Sequence, residues 1–114
     1  MEKLHELTVL NSLDHPNILK VFQSFTDCKK LYFIQEYLSG GTLFMFTAEY
    51  QALAERYVCR IIHQLLKAMA YIHNQGLVHG DIRMENVLLL PSSDMDKTVK
   101  LIGWSHCSYI TPGQ

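Results

Sequence analysis

One run, from about residue 54 to residue 90, constrains the fold more than any other part of the chain. Val58, Ile61, Ile62, Leu65, Leu66, Met69 and Ile72 recur at i, i+3, i+4 and i+7, so a helix from about Ala54 to Asn74 carries an apolar stripe it has to bury. Asn74-Gln75-Gly76 ends it, with glycine just past the helix end, where a left-handed backbone is favoured. Leu77-Val78 reads as a short strand. The polar loop His79-Gly80-Asp81-Ile82-Arg83-Met84-Glu85-Asn86 follows and opens at once into the apolar strand Val87-Leu88-Leu89-Leu90. Pro91-Ser92-Ser93-Asp94 turns the chain, and Thr98-Val99-Lys100-Leu101-Ile102 returns as a partner strand. Helix and strand in this order predict an α+β domain.

Upstream, Leu4, Leu7, Leu10 and Leu13 form a helical stripe over residues 2–13, stopped by Asp14-His15-Pro16-Asn17. Alternation from Ile18 to Phe25 and an aromatic-rich run from Leu31 to Tyr37 predict two antiparallel strands across the turn Thr26–Lys30. Ser39-Gly40-Gly41 breaks the chain, and Thr42 is placed to cap a short helix reaching about Tyr50. The tail from Gly103 to Gln114 has no legible pattern.

With 114 residues, the chain can bury one small core. Its net charge of −1 argues against nucleic acid or an anionic membrane surface as the main partner, since both require a basic face. No apolar run approaches the length of a membrane span, and Met1–Glu6 lacks the apolar segment of a signal peptide. Cys28, Cys59 and Cys107 form no C-x-x-C pair, which suits a reduced, intracellular and cytoplasmic chain.

The loop His79-x-Asp81-x4-Asn86 resembles the H-R-D-x-x-x-x-N catalytic loop of eukaryotic protein kinases. Leu13-Asp14-His15-Pro16-Asn17-Ile18, Tyr37-Leu38-Ser39-Gly40-Gly41-Thr42-Leu43-Phe44 and Arg60-Ile61-Ile62-His63-Gln64-Leu65 look most like the calcium/calmodulin-regulated and calcium-dependent Ser/Thr kinases. The resemblance spans nearly the whole chain. It implies a partial kinase fold, comprising the family's αC helix, two N-lobe strands, hinge, αD and αE helices and catalytic-loop hairpin. Residues 1–38 would be an N-lobe remnant with hinge, and 39–114 the start of the C-lobe.

By resemblance, Asp81 takes the place of the base that accepts the substrate hydroxyl proton. Arg83 stands where a lysine usually touches the transferred phosphate, Glu85 where a basic substrate side chain is met, and Asn86 where one Mg2+ is bound. Gln35 takes the gatekeeper place. Glu36, Tyr37 and Leu38 take the hinge, and Leu88 lies under adenine, so Gln35, Glu36, Leu38 and Leu88 are the implied contacts of ATP. Glu6, nine residues before His15, matches the αC glutamate, although a solvated helix glutamate reads the same way. Leu10, Val21, His79 and Trp104 fall on one apolar stack between lobes, and Leu43, Val87, Leu88 and Leu89 on another. Plain core packing predicts the same burial for both. A metal-hydrolase reading of His79 and Asp81 lacks a third ligand at workable spacing.

The family pattern fails in four places. The chain has no Gly-rich loop, no V-A-I-K lysine and no A-P-E segment with the helices beyond it. After the strand ending at Ile102, where kinases carry Asp-Phe-Gly, it has Gly103-Trp104-Ser105. The lost aspartate is the carboxylate that holds Mg2+ against the phosphates. Asp27, Asp94 and Asp96 lie in turns away from it, and Gly80 replaces the usual arginine of the loop. Two readings follow: a catalytically impaired, pseudokinase-type domain that binds or scaffolds, or an ATP-dependent Ser/Thr kinase represented by an incomplete chain with Asp81 as its base. Open strand edges and a long helix short of neighbours around Ile61 and Leu65 predict exposed apolar surface, and with it a protein partner, a homodimer or poor solubility.

Overall fold

The computed structural model describes residues 9–49, 55–90 and 98–110. Residues 9–12 are helical, ending ahead of Pro16; Leu4, Glu6 and Leu7 lie outside the described residues. The segment after this turn is fastened to the rest of the molecule by Asn17, which is 6% exposed. Its Nδ2 donates to the Val99 carbonyl at 2.9 Å and to Gln64 Oε1 at 3.0 Å, and its carbonyl accepts the Leu101 N–H at 2.8 Å. A buried amide satisfied in this way is a rigid joint.

Strand β1 (Val21–Thr26) pairs antiparallel with β2 (Leu31–Gln35). Sequence alternation starts the first strand at Ile18, but there the chain serves another partner: Ile18 bridges to Leu101 and the Leu19 N–H goes to the Leu101 carbonyl at 3.2 Å. A bulge between Val21 and Gln23 interrupts the alternation. In the turn, Asp27 Oδ1 accepts the N–H groups of Lys29 and Lys30, both at 2.8 Å, and these donors hold its carboxyl below the ordinary aspartate value.

Helix α1 (Leu43–Glu49) is capped as its sequence predicts, the Met45 N–H donating to Thr42 Oγ1 at 3.2 Å. Helix α2 (Glu55–Asn74) packs against the strands Leu77–Val78 and Val99–Leu101 and ends at Gly76, whose φ of +76° is the left-handed conformation that glycine adopts at least cost. The apolar positions of α2 split into two stripes. Ile61, Leu65, Ala68 and Ile72 are buried, so the uncovered face expected around Ile61 and Leu65 is elsewhere. It lies at Val58, Ile62 and Leu66, which are 42%, 47% and 56% exposed.

Strand β3 (Leu77–Val78) pairs with β6 (Ser108–Tyr109), an element for which the tail has no sequence signal. Strands β4 (Val87–Leu89) and β5 (Val99–Leu101) form the second antiparallel hairpin, while the expected turn at Pro91–Asp94 lies outside the described residues. Val87, Leu89, Val99 and Leu101 join Ile72, Leu77 and Trp104 at the centre of the core. Two of the three two-stranded ribbons lie against α2, through β3 and β5, and the loop from His79 to Asn86 joins β3 to β4.

Candidate functional site

His79 is the post on which the loop is mounted. It is 2% exposed; its Nδ1 accepts the Asp81 N–H at 3.0 Å and its Nε2 lies 2.8 Å from the Ile102 carbonyl. A carbonyl only accepts, so Nε2 carries the proton and the ring is neutral. Burial lowers its pKa below the ordinary histidine value, against the Ile102 carbonyl and the Asp81 charge, which favour protonation. Its ring meets Trp104 edge-on at 4.6 Å, so one imidazole orders both the loop and the turn that follows β5.

Asp81, Arg83 and Asn86 are brought together. A 3-10 turn over Met84–Asn86, closed by the Asn86 N–H on the Arg83 carbonyl at 2.9 Å, folds the asparagine back over the aspartate. Asn86 Nδ2 then donates to the Asp81 carbonyl at 2.9 Å and to Asp81 Oδ2 at 3.1 Å. Arg83 Nε lies 3.5 Å from Asp81 Oδ1, and His106 Nδ1 lies 3.7 Å from Oδ2. Nothing in the sequence singles out His106. It arrives through the turn Trp104–His106, started by Gly103 at φ +80°. Glu85 is exposed on the outer side of the loop.

Two glycines are required by close approach. A Cβ on Gly80, at φ +85°, would stand 2.6 Å from the His106 carbonyl oxygen. A Cβ on Gly103 would stand 2.6 Å from Asn86 Nδ2 and closer still to Asn86 Cγ and Oδ1. The Asn86 amide therefore occupies the space in which a side chain at residue 103 would begin.

Beside this loop lies a crevice of about 210 Å³. Leu10 and Val21 line one side, Leu88, Ile102, Gly103 and Trp104 the other, and Gln35 its edge. Val87 and Leu89 point into the core, which by strand alternation turns Leu88 toward the crevice. Glu36 and Leu38 are not among its walls. Leu38 is half-buried, whereas Glu36 Oε1 takes Lys100 Nζ at 2.7 Å and the Lys20 N–H at 3.0 Å. This pair, with side chains 23% and 17% exposed, ties the β1–β2 hairpin to β5. Lys100 was findable: it is the charged residue between Val99 and Leu101, on the face that alternation turns away from the core.

Burial raises the Glu36 pKa, but the Lys100 hydrogen bond, the Lys20 N–H and the Lys100 charge outweigh it and leave the carboxyl below its ordinary 4.5. The pair's contribution is therefore complete above the ordinary value and is lost as pH falls through the depressed one. We expect Glu36→Gln to cost about 1 kcal/mol near neutrality and to flatten the acid limb of stability below pH ~4.5, read by urea unfolding across pH.

The comparisons with known proteins agree with this geometry. The whole chain, residues 1–114, matches the protein kinase domain family. It is 34% identical to calcium-dependent protein kinase 5 of Plasmodium berghei over 90% of this chain and 18% of that protein. It is 36% identical to the meiosis-specific serine/threonine-protein kinase mek1 of Schizosaccharomyces pombe over 79% of this chain and 20% of that protein. Its structure is similar to that of the Rad53 kinase domain, with a TM-score of 0.85 and 30% identity over 95% of this chain and 40% of that one. The chain belongs to the protein kinase family, with Ser/Thr kinases among its relatives, and spans about a fifth of the length of these curated relatives.

Kinases use Mg2+ and ATP, and the described residues fit neither well. Asn86 turns its amide on Asp81 and Gly103, both Asp81 oxygens already face donors, and no carboxylate stands at residue 103. Among the described residues no group of three His, Cys, Asp or Glu side chains is placed to hold a metal. The crevice is below the ~300 Å³ at which cofactor pockets begin. Cys28 and Cys59 are exposed and Cys107 is buried. No described helix is long and apolar enough to cross a membrane.

Proposed function

We propose that this stretch of kinase domain binds and scaffolds rather than transfers phosphate. The observation that carries this reading is the contact between Asn86 and Gly103: the place of the metal-holding carboxylate is taken by the asparagine amide. Phosphoryl transfer depends on positioning and charge neutralisation, and an octahedral Mg2+ held by one neutral amide and water has lost the anionic ligand that fixes it.

A thermal-shift titration with ATP, with and without Mg2+, tests the proposal directly. We expect no magnesium-dependent rise in melting temperature, and phosphate transfer to a basic peptide no faster than that of the Asp81→Asn variant. A magnesium-dependent rise, or turnover lost on Asp81→Asn, would overturn it.

A specific observation favours the second reading, an ATP-dependent protein serine/threonine kinase of which these residues are one part. Asp81, Arg83 and Asn86 are held together on a buried, fully bonded His79, which is the arrangement a working loop needs. On that reading Gln35, Glu36, Leu38 and Leu88 would line the nucleotide side. The same titration separates the two.

A further inference from the structure

The turn that leads into β1 is held by a histidine that can hold it only while neutral. His15 Nδ1 accepts the Asn17 N–H at 3.0 Å, a bond to the residue two places on like that of an Asx turn, so Nδ1 carries no proton there. The His15 ring lies against Tyr71 of α2, with centroids 5.1 Å apart, and the Tyr71 hydroxyl accepts the Asp14 N–H at 2.9 Å. Asn17, placed by these contacts, fastens the turn to α2 through Gln64 and to β5 through Val99 and Leu101. One ring nitrogen therefore positions the residue on which the whole joint depends.

We propose that this joint is a pH-sensitive switch: protonation of His15 releases Asn17 and loosens the β1–β2 hairpin from α2 and β5. A proton on Nδ1 turns an acceptor into a donor facing a donor, and the N–H of the buried Asn17 loses its partner. The surroundings do little for the imidazolium. Burial and the Lys67 charge on α2 both hold the His15 pKa below the ordinary 6.5, against the weak attraction of the Tyr71 face for a cation. Asp14, in the same turn, has its side chain 89% exposed and 3.9 Å from Lys20 Nζ. On β5 the charged residue is Lys100, already engaged by Glu36.

Because folding lowers the His15 pKa, the joint is complete above pH 6.5 and is lost as pH falls through the lowered value. Glu36, the hairpin's other fastening, keeps its charge to below 4.5. Between these limits the Asn17 joint opens while the Glu36–Lys100 pair holds, which makes the change a local loosening. The hairpin carries Val21 and Gln35 to one side of the crevice, and Leu88 and Ile102 stand on the other side of the joint. The switch thus acts on the crevice, whether or not the site transfers phosphate.

Amide hydrogen exchange on the 114-residue chain, read by NMR as protection factors so that the intrinsic pH dependence cancels, tests it. From about pH 7.5 to about pH 5, protection at Asn17, Leu19 and Leu101 should fall at least about tenfold, while Leu65 and Ala68 in α2 keep theirs. His15→Asn retains an acceptor, Oδ1, but cannot take up a proton, so its protection should be the same at both pH values. His15→Leu has no acceptor and should be poorly protected at both. Parent protection that ignores pH, a fall that includes Leu65 and Ala68, an Asn variant that follows the parent or a Leu variant well protected near pH 7.5 would each overturn the proposal. Should the variants misfold, the parent chain decides alone. Its His15 ring should titrate below 6.5, at the pH where protection is lost; a midpoint at or above 6.5, or one apart from that loss, would sink the idea.

Discussion

Gly103→Ala is expected to destabilise the chain by about 2–4 kcal/mol, measured by urea unfolding. Two costs combine. The φ of +80° at Gly103 is one that an alanine pays roughly 1–2 kcal/mol to adopt. Its Cβ would also fall inside contact distance of the Asn86 amide, which can yield only by giving up its bonds to the Asp81 carbonyl and carboxylate, about 1 kcal/mol each. In an Asn86→Ala background the steric cost disappears, so the same change should cost only about 1–2 kcal/mol. Equal costs in the two backgrounds would show that Asn86 does not occupy that space.

The consequence for function is direct. On the proposed reading, Gly103→Asp is expected not to rebuild a magnesium site, because a side chain at residue 103 would meet the Asn86 amide, the other residue the family uses to hold the metal. Gly80 poses the same problem at the other end of the loop: the arginine usual in the family would start 2.6 Å from the His106 carbonyl. Both glycines bear on the path of the turn over Trp104–His106: Gly80 approaches its last carbonyl and Gly103 starts it.

Trp104→Ala should cost about 3–5 kcal/mol, the loss expected for a large buried aromatic. The residue is 2% exposed, joins the central cluster and supports His79 edge-on. Trp104→Phe should stay within about 1 kcal/mol of the parent chain. Phenylalanine loses some packing but also removes the indole N–H, a buried donor with no acceptor among the described residues, whose burial costs about 1–3 kcal/mol. Far-UV circular dichroism against urea is the measurement, since Trp104 is the sole tryptophan and the variants lose its fluorescence. A phenylalanine variant as unstable as the alanine one would mean that the indole N–H has an accepting partner.

Much of the local structure is legible from residue order. The stop at Asp14–Asn17, the Thr42 cap, the span of α2 and its glycine end, and the β4–β5 hairpin follow from periodicity and turn chemistry acting over a few residues. The grouping of Asp81, Arg83 and Asn86 is legible for the same reason: six residues closed by one 3-10 turn cannot separate far. Less legible is where an apolar run meets more than one neighbour. The seven apolar positions of α2 read as one stripe, yet Val58, Ile62 and Leu66 stay in solvent while Ile61 and Leu65 pack inward. Ile18 and Leu19 have strand sequence but bond to Leu101 instead of continuing the ladder. Strand β6 exists because Leu77-Val78 provides an edge for it.

The sequence by itself determined the kinase lineage, the order of helices and strands, and the loss of the aspartate at residue 103. Each is written in residue identity and short spacing. Only the tertiary structure decided what fills the place of that aspartate and what Glu36 does. Asn86 meets Gly103 across 17 residues of chain, and Glu36 meets Lys100 across 64. Such contacts depend on how separate elements pack, and local periodicity carries no information about that.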